Sequence, residues 1–83
     1  IGGEALRMDA PSLDERCREL GVAAGLTPRE QEVLELLARG RNARFIMEEL
    51  AVTRNTAKAH ISHIYAKLGV HSQQELLSLT EES

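Results

Sequence analysis

Aromatic side chains are nearly missing: of 83 residues one is Tyr, one is Phe and none is Trp. Leu, Ile, Val and Ala must therefore fill the core. The β-branched residues are scattered and never alternate, so this composition favours packed helices over a β-sandwich. One cysteine, Cys17, excludes an internal disulfide or a cysteine metal cluster and reads most simply as a small apolar residue in a reducing compartment. No apolar run approaches the ~20 residues of a membrane span, and no charged-then-apolar leader opens the chain. A cytoplasmic location is expected, with any membrane tether left to a region upstream of Ile1. The Ile1-Gly2-Gly3 start reads as part of a longer chain.

Catalytic signatures are absent as well. No glycine-rich phosphate loop, nucleophile elbow or HExxH motif is present, which argues against an enzyme and gives no reason to expect a cofactor. His60 and His63, three apart, could hold a metal only with a third ligand that the neighbouring sequence does not supply. The simpler reading is one partly buried histidine and one facing solvent or a partner.

The charge balance of −3 looks wrong for binding a polyanion, but its distribution is uneven. Both ends are acidic. Between residues 39 and 67, Arg39, Arg41, Arg44, Arg54, Lys58 and Lys67 face only Glu48 and Glu49, a local excess of +4.

Capping signals divide the chain. Residues 1–10 show no sustained period and read as a linker or tag remnant; 11–25 read as a short N-terminal helix and its connection. Ser12 with Glu15 has capping-box spacing and starts that helix, with Leu13, Cys17 and Leu20 on its apolar face and an end near Gly21 or Gly25. Thr27-Pro28-Arg29-Glu30 is a stronger start, since Thr27 caps, Pro28 takes the first helical position and Glu30 closes the box. The helix over 28–39 buries Val33, Leu34 and Leu37 and stops at Gly40. Asn42 caps a helix over about 43–50, and Ala51-Val52-Thr53 makes a tight turn. A helix over about 54–68 follows, capped by Thr53 and closed by Gly69. Ser72 and Glu75 repeat the box before a last helix through Leu76, Leu77 and Leu79, and 80–83 are expected to form a tail.

The helix over 54–68 carries the functional expectation. Ala57, Ile61, Ile64, Tyr65 and Leu68 fall on one stripe. Arg54, Asn55, Lys58, Ala59, Ser62 and His63 fall on the other face, and no acidic residue occurs anywhere in 53–69. Two helices joined by a short turn, the second with a basic face, form the outline of a helix-turn-helix. Its outer face would present Lys58, Ala59 and Ser62 to base edges in the major groove. Thr53, Asn55 and Thr56 would sit in the first turn, where free amides favour phosphate. The plainer alternative is a capped helix with a solvated basic face.

LTPREQEVLELLARG, NARFIMEEL and AVTRNTAKAHISHIYAKLGV, followed by a capped last helix, closely resemble the LuxR-type helix-turn-helix domain of bacterial transcription regulators over about residues 26–79. The resemblance implies an all-α, four-helix domain, here with an additional short N-terminal helix. It implies double-stranded promoter DNA as partner, an upstream sensor domain, RNA polymerase as a further partner, and a homodimer on DNA formed through the last helix. By position, Lys58, Ala59 and Ser62 match base-facing residues, and Asn42, Arg54, Asn55, Thr56 and Lys67 match or neighbour phosphate-facing ones. Gln73, Gln74 and Leu77 lie on the dimer helix. The sequence departs from the family pattern at Met47, where a small residue is usual, and at Ala57, where Val is usual; the two are expected to compensate in volume. It departs again at Phe45, where a charged residue is usual, so that the ring is either exposed, with the N-terminal helix as one surface for it to meet, or rotates its helix slightly. Ala59 and Ser62 are small for base-facing positions, which leaves Lys58 as the main direct reader. A promoter-binding module of the sigma-factor region 4 kind and a helical dimerisation or interaction module that has lost DNA binding are the rival readings.

Overall fold

The computed structural model describes residues 12–81, and these form five helices with no strand. They are α1 (Leu13–Ala24), α2 (Pro28–Ala38), α3 (Ala43–Leu50), α4 (Arg54–Leu68) and α5 (Gln73–Glu81). The expected linker at 1–10 and the last two residues of the expected tail lie outside the described residues. No helix among those described is long and apolar enough to cross a membrane.

Local chemistry sets the helix starts. In α1 the Glu15 amide donates to Ser12 Oγ at 3.2 Å while the Ser12 amide donates to Glu15 Oε1 at 2.9 Å. Thr27 and Glu30 form the same reciprocal box at α2, with Pro28 in the first turn. Asn42 Oδ1 accepts from the Phe45 amide at 2.9 Å, and Thr53 Oγ1 accepts from the Thr56 amide at 3.2 Å. Each cap satisfies one of the amides that a helix start leaves without an internal partner. At α5 the expected box is displaced. Ser72 Oγ accepts from the Glu75 amide at 3.2 Å, but Glu75 Oε1 accepts from the His71 amide at 2.7 Å rather than from that of Ser72. The carboxylate reaches one residue further back because the chain bends through 71–72 before the helix begins.

Helix ends also follow local sequence: α1 takes the second of its two expected ends, and α5 runs past its expected one. α1 runs through Gly21 and ends at Gly25. A Cβ on Gly21 would lie 1.6 Å from Gln31 Oε1, so this glycine lets α2 approach closely, and Gln31 Nε2 donates to the Cys17 carbonyl at 2.9 Å. α5 continues to Glu81, so the expected tail begins inside the helix; Thr80 is buried and accepts, through its carbonyl, from Arg16 of α1 at 2.9 Å. The turn between α3 and α4 is closed by Ala51 at φ 55, a left-handed conformation that costs a non-glycine residue about 1 kcal/mol.

One apolar cluster joins the helices: Cys17, Val33, Leu34, Leu37, Ala38, Ile46, Ala57, Ile64, Val70 and Leu76. Leu13, Leu20, Leu26, Leu36, Met47, Leu50, Val52, Ile61, Tyr65 and Leu68 close over it. α1 contributes Cys17 at 0% exposure, so the N-terminal helix is part of the core and not an appendage. Burial pushes the Cys17 thiol above its ordinary value, which fits a packing role.

Candidate nucleic-acid interface

α4 is seated by its apolar stripe, and that seating determines what faces outward. Ala57 and Ile64 are fully buried, and Ile61, Tyr65 and Leu68 pack partly buried on the cluster. Burying about five such side chains is worth several kcal/mol and fixes the rotation of the helix about its axis. Thr53, Arg54, Asn55, Thr56, Lys58, Ala59, Ser62 and His63 are consequently exposed. The expected partition of this helix is thus found residue by residue. His60 is partly buried and His63 exposed, and among the described residues no group of three His, Cys, Asp or Glu side chains could hold a metal.

Charge partners separate the basic residues into two groups. Arg29 pairs with Glu32 at 3.1 Å, Arg39 with Asp14, Arg44 with Glu48 at 3.5 Å and Lys67 with Glu30 at 2.8 Å. Arg16, Arg18, Arg41, Arg54 and Lys58 have no acidic group within 4.0 Å among the described residues, and of these only Arg54 and Lys58 stand on the exposed face of α4. These two cations, one turn apart on the exposed face, are free to meet an outside anion.

Lys67 stands differently from the other expected phosphate-facing residues. Its ammonium lies on Glu30 Oε1 and 3.4 Å from the Gly25 carbonyl. Glu30 is only 5% exposed, and His63 Nδ1 lies 3.7 Å from its other oxygen. The Lys67 hydrogen bond, and after it the Thr27 amide, hold the Glu30 carboxyl below its ordinary value of 4.5. A buried carboxylate needs such donors. This triad clamps the C-terminal half of α4 onto the start of α2, and no sequence spacing announced it.

The remaining expected residues are brought together in part. Asn42 is exposed and spends its carbonyl oxygen on the Phe45 amide, which leaves its NH2 group as a donor. Thr56 is joined to Thr53 by a hydroxyl hydrogen bond of 3.0 Å as well as by the cap. On α5, Gln73 Nε2 donates to the carbonyls of Leu37 at 3.0 Å and Arg41 at 2.9 Å, so its side chain ties α5 to the end of α2. Gln74 is exposed and Leu77 partly buried. Phe45 is half-buried rather than exposed, with the Arg41 guanidinium 4.7 Å from the ring centroid, a cation–π contact. Arg41 and Arg44 were counted in the basic segment but not singled out, and the proximity of Arg41 to an aromatic ring four residues on was the signal available for it.

The family model described as "Bacterial regulatory proteins, luxR family" matches residues 24–80. The transcriptional regulatory protein DesR of Bacillus subtilis is 40% identical over 76 residues, covering 92% of this chain and 37% of that protein. The oxygen regulatory protein NreC of Staphylococcus aureus is 44% identical over 52 residues, covering 63% of this chain and 24% of that protein. A putative HTH-type transcriptional regulator of Mycobacterium tuberculosis is 34% identical over 74 residues, 89% of this chain but only 8% of that protein. The chain thus spans between about a twelfth and two fifths of the length of these relatives. No solved structure matches it. With more than half of its length matched, and matched across α2 to α5, the chain belongs to the luxR family of bacterial regulatory proteins.

Proposed function

We propose that the chain is the DNA-binding output domain of a longer transcription regulator and docks α4 into the major groove of a promoter site. The observation that carries this reading is the acid-free exposed face of α4, on which Arg54 and Lys58 stand without acidic partners among the described residues. Lys58 reads a guanine O6 or N7, Ala59 and Ser62 line the groove beside it, and their small size shifts part of the selectivity to DNA shape. Arg54, Asn55, Thr56 and the Asn42 amide hold the phosphates. Lys67, held by Glu30, positions the helix and at most neighbours the backbone. Two copies bind half-sites about one helical turn, roughly 10 bp, apart. They pair through α5 by Gln74 and Leu77, with Gln73 bracing that helix from within each copy. The upstream segment supplies the signal, and RNA polymerase reads the bound complex.

The test is a selection of duplexes from a random-sequence pool, followed by titration of the recovered duplex at several salt concentrations. Saturable binding that weakens steeply with salt, and loss of selectivity in Lys58→Ala, is the expected result. An interaction module without DNA binding would give no saturable, salt-sensitive signal at all.

A further inference from the structure

A groove of about 410 Å³ opens beside the first turn of α4, lined by Ala43, Arg44 and Met47 of α3 and by Arg54 of α4. Its lining thus combines two apolar side chains, Ala43 and Met47, with two arginines. Met47 is only partly buried, so one side of it packs on the core and the other lines the groove. The volume compensation expected for Ala57 concerns the inner side alone. Arg44 reaches Glu48 at 3.5 Å, but the two side chains are 84% and 69% exposed. Such a surface pair contributes little and yields to a competing anion.

We infer that this groove seats one sugar–phosphate step of the DNA strand, with the deoxyribose against Met47 and Ala43 and its flanking phosphates on Arg44 and Arg54. A backbone step has the matching chemistry, an apolar sugar face with two anions. Continuity supports the same occupant, because Lys58 follows Arg54 by one turn on the same exposed face, so the groove adjoins the surface proposed for DNA. Arg44 and Met47 thereby become DNA contacts, and Met47 becomes an affinity residue without base preference. The inference rests on the DNA-binding reading, and the experiment separates the two.

Fluorescence anisotropy of two labelled duplexes, the selected one and one of mixed sequence, is measured with single variants whose folding is checked by circular dichroism. Met47→Leu keeps affinity within ~2-fold, since it preserves apolar volume. Met47→Glu weakens both duplexes alike by ~10-fold or more, because it sets an anion between phosphates, and Arg44→Ala lowers the salt slope by about 1. Arg44→Glu, at an exposed position that no core packing depends on, gives the same uniform loss if Met47→Glu fails to fold. Arg18→Glu on the exposed side of α1, which changes the charge by the same two units as Arg44→Glu, is the control for total charge and leaves affinity within ~2-fold. Wild-type affinity in Met47→Glu and Arg44→Glu, with selectivity lost in Lys58→Ala, overturns the groove assignment and leaves the DNA reading standing. Equal losses in Arg44→Glu and Arg18→Glu overturn it too, as an effect of net charge. Absence of saturable binding by the unaltered chain removes both.

Discussion

The two ends of α4 carry the same kind of residue and use it differently. At the N-terminal end Arg54 and Lys58 are exposed and have no acidic partner among the described residues, whereas at the C-terminal end Lys67 is held at 2.8 Å by the buried Glu30, with His63 close by. One end keeps its charge for an outside partner, and the other uses it to fasten the helix to α2. The lesson is that a basic helix is not uniformly a binding surface. What a cation faces decides its role: Lys67 is engaged inside the fold, whereas Arg54 and Lys58 are the pair on α4 proposed to meet DNA.

The largest effect belongs to the shared support of both ends. Ile64→Ala removes a fully buried side chain from the middle of the cluster and is expected to lower stability by ~2–5 kcal/mol in urea denaturation. It should cost DNA affinity only at temperatures where the fold is lost. Lys58→Ala should do the reverse. Its binding to the selected duplex weakens by ~1–3 kcal/mol in a competition titration, with stability changed by less than ~0.5 kcal/mol.

Lys67→Met sharpens the comparison most. It strands a buried carboxylate, so stability should fall by ~1–3 kcal/mol in chemical denaturation, while the salt slope of DNA binding stays as it was. Arg54→Ala, at the other end, should reduce that slope by about 1 and leave stability nearly unchanged. If Lys67→Met instead lowers the slope and not the stability, the division between the two ends is wrong.

Acid should act on one end only. Because Glu30 has its folded value lowered below 4.5, its stabilisation is fully present above the ordinary glutamate range and is lost as pH falls through the lowered value. The unaltered chain should therefore lose more thermal stability than Glu30→Gln between neutral pH and acid, as followed by melting temperature. The smallest effect concerns the turn between the two helices of the motif. Ala51→Gly relieves the left-handed strain at φ 55 and should raise stability by up to ~1 kcal/mol, less the entropy that glycine adds to the unfolded chain.

Much of this arrangement was legible because it is local. Ser12 with Glu15, Thr27 with Glu30, Asn42 and Thr53 announce helix starts through contacts three residues apart, and the apolar stripe of α4 fixes its exposed face. What stayed hidden depends on residues far apart in the chain. Glu30 and Lys67 are 37 positions apart, Gln73 reaches a carbonyl 36 positions back, and Arg16 reaches one 64 positions on. No periodicity encodes such partners; they follow from how the helices cross. Gly21 is the intermediate case. The sequence offers it as a possible end of α1, whereas it lies inside the helix, where the Gln31 side chain comes against its backbone.

The central claim, that the N-terminal half of α4 is the DNA surface while the C-terminal half is fastened to α2, is tested most directly by amide chemical-shift mapping of the labelled chain during titration with the selected duplex. The account predicts the largest changes from Asn42 to Lys58 and along the exposed positions to Ser62, with the Glu30 and Lys67 amides nearly still. Changes concentrated at Glu30 and Lys67, or confined to α1, would contradict it.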